Sequence, residues 1–242
     1  MDKILILGCS FSAGSYAPID SGKQPLNCLY NNSNIKGSRD ILVNRRCWYH
    51  YVNHLNDKDV TVICCSGLGY WAWYQILLFL EDNNKLKYDE IWIQEASPVR
   101  ASVFNVEILA RKLKQHTLVE NNIKLIDLFI YEKDLLFRFP LSYDDRNAYW
   151  IDFYTEMSKA CASSIDKLCK NKNIKGYVFT FNKVVMECEH FTRLKLSEKN
   201  LLIELFDKNL RVNFNLNGVE LGQHLTEEGN KFVGELINSE MG

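Results

Sequence analysis

Residues 3–14 read Lys-Ile-Leu-Ile-Leu-Gly-Cys-Ser-Phe-Ser-Ala-Gly, an apolar run that leads straight into a turn bounded by glycines. Such a short, uniformly apolar run predicts a strand that is buried on both faces of a parallel sheet. The glycines permit a sharp turn, so the hydroxyl of Ser10 is expected to project above the carboxyl edge of the sheet, where open α/β folds bind ligands. Ser10 is therefore a candidate nucleophile; the alternative is a polar residue that only satisfies the turn.

A second signal lies near the other end of the chain, where residues 222–231 read Gly-Gln-His-Leu-Thr-Glu-Glu-Gly-Asn-Lys. His224 stands just before an amphipathic segment that predicts a helix. An imidazole is suited to take the proton of a serine hydroxyl as that hydroxyl attacks. Serine early and histidine late thus suggest a catalytic pair. The alternative is that Thr226 and its neighbours simply start a helix, with His224 on the surface.

The two stretches resemble the SGNH (GDSL-type) hydrolase family, whose first block is similar to Gly-Asp-Ser-x-Ser-x-Gly and whose last block is Asp-x-x-His before a helix. Residues 60–67, Val-Thr-Val-Ile-Cys-Cys-Ser-Gly, resemble the second block of that family. The resemblance implies that the amide of Gly67 helps to form an oxyanion hole together with the amide of Ser10. Gly69 is the fallback for this role.

The third block of the family, Gly-x-Asn-Asp, is altered in this chain. Residues 90–94 predict a strand, and Glu-Ala-Ser-Pro follows it at residues 95–98. Ser97 stands where the family has its asparagine donor, so the resemblance implies a partly compensating role for Ser97. Arg100 is a candidate for binding an anionic substrate group, with a surface salt bridge as the alternative. Glu95 is expected to cap a helix or to face solvent, unless it supplies the missing acid.

The first and last blocks also depart from the family pattern. Cys9 replaces the aspartate of the first block, and the acid of the last block falls at Leu221. The nearest carboxylate is that of Glu220, one position away. Glu220, a backbone carbonyl or a distant acid is therefore expected to orient His224.

Alternating strands and helices predict the fold class, a three-layer αβα sandwich with a central parallel sheet, which is the flavodoxin-like fold that the resemblance also implies. Strand-like runs occur at 3–7, 60–64, 90–94 and 177–181. Helical spacing is seen in Trp48, Tyr51, Val52 and Leu55, and again at 70–81. We expect a single domain over residues 1–242, with insertions at about 15–46 and 101–150. The second insertion is expected to add one or two helices and to cap the site or bind a partner.

Composition bounds the function. The chain has 242 residues, 47% of them hydrophobic, and a net charge of −1, so neither nucleic acid nor a membrane surface is an indicated partner. No run reaches the roughly 18 apolar residues of a membrane span or the roughly 7–15 of an export signal. The eight cysteines have no framework spacing and predict reduced thiols. A cytoplasmic location is expected.

Metal binding is an alternative at Cys47, His50 and His54, which would share one stripe of a helix. These residues extend over two turns and lack an identified fourth ligand, so packing of a helix flank is the preferred interpretation. No metal and no organic cofactor are expected.

The sequence therefore predicts a serine esterase that acts on an acyl ester with Ser10 as nucleophile and His224 as base. The resemblance implies substrates such as acetylated carbohydrates, lipids or small acyl esters. Two alternatives remain open. One is a catalytically decayed protein that uses the fold for binding, and the other is an O-acyltransferase.

Overall fold

The structure is a computed structural model of the chain. It describes residues 1–9, 12, 47–64, 68–96, 102–104, 118–120, 122–127, 136–138, 148–181, 186–198, 200–216 and 219–242. Within these ranges the strands are β1 (Lys3–Gly8), β2 (Asp59–Cys64), β3 (Glu90–Glu95), β4 (Ser102–Phe104), β5 (Leu118–Glu120), β6 (Ile123–Asp127), β7 (Leu136–Arg138), β8 (Lys175–Thr180), β9 (Thr192–Arg193), β10 (Arg211–Leu216) and β11 (Val219–Leu225). The helices are α1 (Tyr70–Asp82), α2 (Ala148–Asn171), α3 (Leu201–Asp207) and α4 (Glu227–Met241).

The main sheet has the strand order β5-β6-β2-β1-β3-β8-β9. Six of its strands are parallel to their neighbours, and β5 is antiparallel to β6 at one edge. The predicted α/β fold with a parallel sheet is confirmed, and so are the four predicted strands. The first strand lies between β2 and β3, as an apolar strand buried on both faces should.

Side chains of β1 alternate between two hydrophobic clusters because successive residues of a strand point to opposite faces. Leu5 and Leu7 belong to a cluster that includes residues of α1 and α2. Ile4 and Ile6 belong to a second cluster that includes Trp48 and residues of α3 and α4. Both faces of the sheet are thus covered by apolar side chains from helices.

The predicted helix around Trp48 is instead two short 3-10 turns, Trp48–Tyr51 and Asn53–Leu55. Val52 between them has an extended backbone with φ −93° and ψ 111°, which interrupts the helical hydrogen bonds. The apolar spacing is nevertheless used, since Trp48, Val52 and Leu55 are fully or almost fully buried.

The described parts of residues 101–150 contain short strands that were not predicted from the sequence, while the expectation of one or two added helices stays a prediction. These parts include β4 to β7, and α2 begins at Ala148. Strand β6 pairs with β2 in parallel and thereby widens the main sheet, while β4 and β7 form a separate antiparallel pair. Residues 15–46, the other expected insertion, lie outside the described residues.

Helix α4 begins at a side-chain cap and packs tightly against the first 3-10 turn. The hydroxyl of Thr226 accepts the backbone N–H of Gly229 at 3.0 Å, which confirms that Thr226 starts the helix. At Gly234 a Cβ atom would lie 2.5 Å from the Cβ of Tyr51 and 2.9 Å from the carbonyl oxygen of Trp48. The helix can approach this closely only because residue 234 has no side chain.

Gly234→Ala is therefore expected to lower the free energy of unfolding. Alanine ordinarily stabilises a helix interior by about 1 kcal/mol relative to glycine, but here the added methyl overlaps backbone atoms that cannot move freely. We expect a net loss of about 1–3 kcal/mol, measured by urea denaturation. Ser239→Ala, at an exposed position of the same helix, should change stability by less than about 0.5 kcal/mol. Equal stability of the Gly234 variant and the wild type would contradict the close contact of α4 with Trp48 and Tyr51.

Candidate functional site

Two polar side chains end the buried strand β3 at the carboxyl edge of the sheet. Gln94 and Glu95 are only 1% and 2% exposed. As neighbours in a strand they point to opposite faces. Gln94 continues the row of Trp92, which belongs to the cluster around Trp48, and Glu95 continues the row of Ile93, which belongs to the cluster around α1.

Gln94 holds the chain that leaves β1. Its side-chain oxygen lies 3.3 Å from the backbone nitrogen of Cys9, 3.1 Å from Sγ of Cys9 and 3.4 Å from Oγ of Ser12. Its side-chain nitrogen donates to the carbonyl of Glu95 at 2.6 Å. The amide is thus fixed at both ends, and its oxygen collects three donors from the segment that contains the candidate nucleophile.

Ser12 closes the turn after β1 and is fully buried. Its backbone N–H donates to the carbonyl of Cys9 at 3.1 Å, and its Oγ accepts Nε1–H of Trp48 at 3.0 Å. A Cβ atom at Gly8 would lie 2.2 Å from Oγ of Ser12. Residue 8 must therefore be a glycine, because Ser12 approaches it closely. Ser12 itself is held by hydrogen bonds to Cys9, Trp48 and Gln94.

A continuous set of contacts joins this turn to the start of α4. Trp48 donates its backbone N–H to Oδ1 of Asn230 at 3.1 Å, and Nδ2 of Asn230 donates to the carbonyl of Thr226 at 3.0 Å. Trp48 is itself the donor to Ser12. Residues 12 and 226 are thus linked through two intermediate side chains, although more than two hundred residues separate them in sequence.

Glu95 is the centre of a second, buried network. Its carboxylate accepts from the hydroxyl of Tyr70 at 2.7 Å, the backbone N–H of Met186 at 2.7 Å and Nη1 of Arg193 at 2.8 Å. Its side chain has no exposed surface. The expectation that Glu95 caps a helix or faces solvent is wrong, because an arginine and two further donors compensate its burial. Burial, and then the charge of Glu95, raise the pKa of Tyr70 well above its ordinary value, so this hydroxyl stays protonated and donates.

The predicted site residues fall into two groups. Ser10, Gly67, Ser97 and Arg100 lie outside the described residues. Glu220, His224 and Gly69 are placed: the backbones of Glu220 and His224 belong to β11, and Gly69 is the buried N-cap residue of α1.

The strand geometry bears on Glu220 as the orienting acid. Glu220 and His224 lie four positions apart in β11, and the pairing register with β10 shifts between them. Strand β11 pairs with β10, where Val212 lies opposite His224 and Asn215 lies opposite Glu220. The orienting group of His224, whether Glu220, a backbone carbonyl or a distant acid, stays a prediction.

The residues considered as metal ligands do not form a cluster. Nε2 of His54 lies 2.9 Å from the carboxylate of Glu90, at the amino end of β3. His50 instead accepts the backbone N–H of Cys47 at its Nδ1, at 3.0 Å. Among the described residues no group of three or more histidine, cysteine or acidic side chains is arranged to hold a metal ion.

Sequence reasoning missed Gln94, Trp48 and Asn230 as parts of the site. The signal for Gln94 was present, because a polar residue at the end of an otherwise apolar strand must find partners when it is buried. Trp48 and Asn230 gave no comparable signal. The helical spacing of Trp48 relative to Val52 and Leu55 indicates only a face that packs against the core. Asn230 lies in an amphipathic helix, where an asparagine is ordinarily a surface residue.

A surface depression of about 560 Å³ lies beside α3 and contains none of the candidate residues. It is lined by Leu196, Ser197, Glu198, Ile203, Glu204, Asp207 and Lys208. None of these residues lies at the exit of β1 or β3, where a substrate pocket for Ser10 is expected, so volume alone does not identify the site.

Comparison with known proteins identifies no relative: no protein-family model matches this chain, and no curated protein matches its sequence. In the parts of the chain that the structure describes, no helix is both long and apolar enough to cross a bilayer.

Proposed function

We propose that the protein is a serine esterase in which Ser10 is the nucleophile and His224 is the base. The observation that carries this proposal is the set of contacts from Ser12 through Trp48 and Asn230 to Thr226. Ser10 precedes Ser12 by two residues, and His224 precedes Thr226 by two residues. These contacts join the turn after β1 to the start of α4, and this link supports a pairing of Ser10 with His224.

The chemistry needs both residues. Oγ of Ser10 attacks the ester carbonyl carbon while a ring nitrogen of His224 takes the hydroxyl proton. The carbon–oxygen bond to the leaving alcohol then breaks, and His224 returns the proton to that alcohol. A water molecule, activated by the same histidine, hydrolyses the acyl-enzyme and restores the serine. Apart from that water, the protein itself supplies every group that these steps use.

The negative oxygen of the tetrahedral intermediate needs fixed donors. We assign this role to the backbone amide of Ser10 with that of Gly67, and to Gly69 as the fallback. Gly69 immediately precedes α1, a helix of 13 residues. The positive end of the helix dipole favours a developing negative charge close to that position. Ser97 and Arg100 remain proposed contacts for the substrate.

A fluorophosphonate probe tests the proposal directly. Phosphonylation reproduces the tetrahedral step, so an activated Ser10 should become covalently labelled, and peptide mass analysis should locate the adduct at that residue. A panel of acetyl and longer acyl esters, with acetylated sugars among them, should then be hydrolysed. A folded protein that neither labels nor turns over any ester would favour the decayed binding protein. Transfer of the acyl group to a sugar hydroxyl in preference to water would favour the acyltransferase.

Gln94→Leu should weaken both stability and reactivity. The substitution keeps a similar volume but leaves the backbone N–H of Cys9 without its acceptor, which costs about 1–3 kcal/mol. A displaced Cys9 also misplaces Ser10, and we expect the fluorophosphonate labelling rate to fall about 10–100-fold.

Asn238→Leu is the matched control for that variant. Its amide likewise accepts a backbone N–H, that of Asn53 at 2.7 Å, and donates to the carbonyl of Tyr51 at 2.9 Å. It should lower stability while labelling of Ser10 proceeds at the wild-type rate. Equal loss of labelling in both variants would mean that Gln94 acts only through global stability.

A further inference from the structure

The carboxylate of Glu95 accepts more hydrogen bonds from protein groups than the carboxylate of an exposed ion pair usually does. Besides Tyr70, Met186 and Nη1 of Arg193, it lies 3.4 Å from Nη2 of Arg193. The same Nη2 donates to the carbonyl of Met186 at 2.7 Å. Arg193 is thereby held in place by the segment that also donates to Glu95. The side chain of Arg193 is 26% exposed, whereas that of Glu95 is completely buried.

The network joins segments that lie on both sides of β1 at the carboxyl edge. Tyr70 is the first residue of α1, which follows β2, and Glu95 is the last residue of β3. In the sheet, β1 lies between β2 and β3. A hydrogen bond from the start of α1 to the end of β3 therefore spans the exit of the central strand, where the candidate nucleophile follows.

A contribution to stability alone does not account for the burial of the Glu95 carboxylate. A buried ion pair often contributes no more to stability than apolar side chains of the same volume, because both charges lose their hydration. A carboxylate whose hydrogen-bonding capacity is filled fixes the positions of the groups that donate to it. Donors of an oxyanion site need this kind of fixation, because they must already point to the place where charge develops in the transition state.

We infer that Glu95 and Tyr70 position the oxyanion site by fixing the start of α1 against the end of β3. This inference rests on the proposed esterase function. We assign both a positioning role, because the hydroxyl of Tyr70 donates to Glu95 and the carboxylate of Glu95 accepts from three groups of the protein. The amide of Gly69 directly precedes Tyr70, and the segment that carries Ser97 directly follows Glu95 and Ala96. The network thus holds the residue that follows Gly69, the fallback donor, and the end of the strand that leads to Ser97, a proposed contact for the substrate.

Tyr70→Phe and Glu95→Gln test the inference in the full chain. We expect kcat for ester hydrolysis and the rate of fluorophosphonate labelling at Ser10 to fall about 10–100-fold, with KM changed less than about twofold, because oxyanion donors act on the transition state more than on the bound substrate. Hydrogen exchange of the peptide that covers the start of α1 should become faster in both variants.

Glu90→Gln is the matched control, because it makes the same change at the opposite end of the same strand. Glu90 is 8% exposed and is bonded to His54 and to Nε1 of Trp92 at 3.0 Å. This variant should also melt at a lower temperature, yet label at the wild-type rate and keep the wild-type exchange at α1.

The outcomes separate the two proposals. If the wild type is labelled at Ser10 and the Tyr70 and Glu95 variants react as fast, the positioning role is overturned and the esterase stands. The positioning role is overturned in the same way if Glu90→Gln slows labelling as much as those two variants do. If the folded wild type is not labelled at all, the esterase proposal fails and the positioning role falls with it.

Discussion

Replacing Ser10 by alanine is expected to lower kcat for ester hydrolysis by about 10⁴–10⁶-fold, the scale seen when a serine nucleophile that works with a histidine is removed. Fluorophosphonate labelling should disappear, because the proposal gives the role of nucleophile to Ser10 alone. The measurement is single-turnover labelling followed by mass analysis, together with steady-state hydrolysis of an acetyl ester.

Ser12→Ala is the control for this experiment, because it removes a serine hydroxyl from the same turn. Oγ of Ser12 is engaged by Trp48 and lies next to Gln94, so its loss should lower stability and slow the reaction without abolishing labelling. Full labelling of the Ser10 variant, or complete loss in the Ser12 variant with Ser10 intact, would contradict our assignment of the nucleophile.

His224→Ala is expected to have the second largest effect, a loss of about 10⁴-fold or more in kcat. Without the base, the hydroxyl of Ser10 keeps its proton as it attacks. Labelling by the fluorophosphonate should therefore be suppressed at every probe concentration. Glu220→Ala should reduce kcat far less, because the imidazole of His224 can still take the proton without a carboxylate that orients it.

The comparison between these two variants identifies the orienting group. If Glu220→Ala is as damaging as His224→Ala while the protein remains folded, Glu220 is the orienting acid. A labelling rate of His224→Ala equal to that of wild type would exclude histidine as the base. Circular dichroism and melting temperature serve as the controls for folding in both cases.

Much of the fold was predictable because apolar residues dominate the middle of each central strand. β1, β2, β3 and β8 are short apolar runs separated by helical segments, and that pattern admits few arrangements besides a parallel sheet. β6 was missed because Lys124 and Asp127 give it the appearance of a polar segment; its backbone pairs with β2 all the same. The helix expected at Trp48 was shortened to 3-10 turns by Val52, whose extended conformation no periodicity reveals.

The site was predictable only in part, for a physical reason. Motifs indicate which residue types follow a strand or precede a helix, and they led to Ser10 and His224. Burial and pairing depend on contacts between distant segments. The bond between Trp48 and Asn230 joins residues 182 apart in sequence, and the one between Glu95 and Arg193 joins residues 98 apart. The sequence alone showed Glu95 as an acid after a strand, while its neutralising partner lay on β9.

The bond from Trp48 to Asn230 has a consequence for the timing of synthesis. The ribosome produces Ser12 and Trp48 early, whereas Asn230 follows Ser12 only after about 10–40 s at roughly 5–20 residues per second. During that interval the nascent chain can assemble β1, β2 and β3, but the backbone N–H of Trp48 has no Asn230 to receive it. A growing chain therefore carries Ser10 long before the helix that follows His224 has been made, and the proposed esterase activity should arise only once that helix is complete.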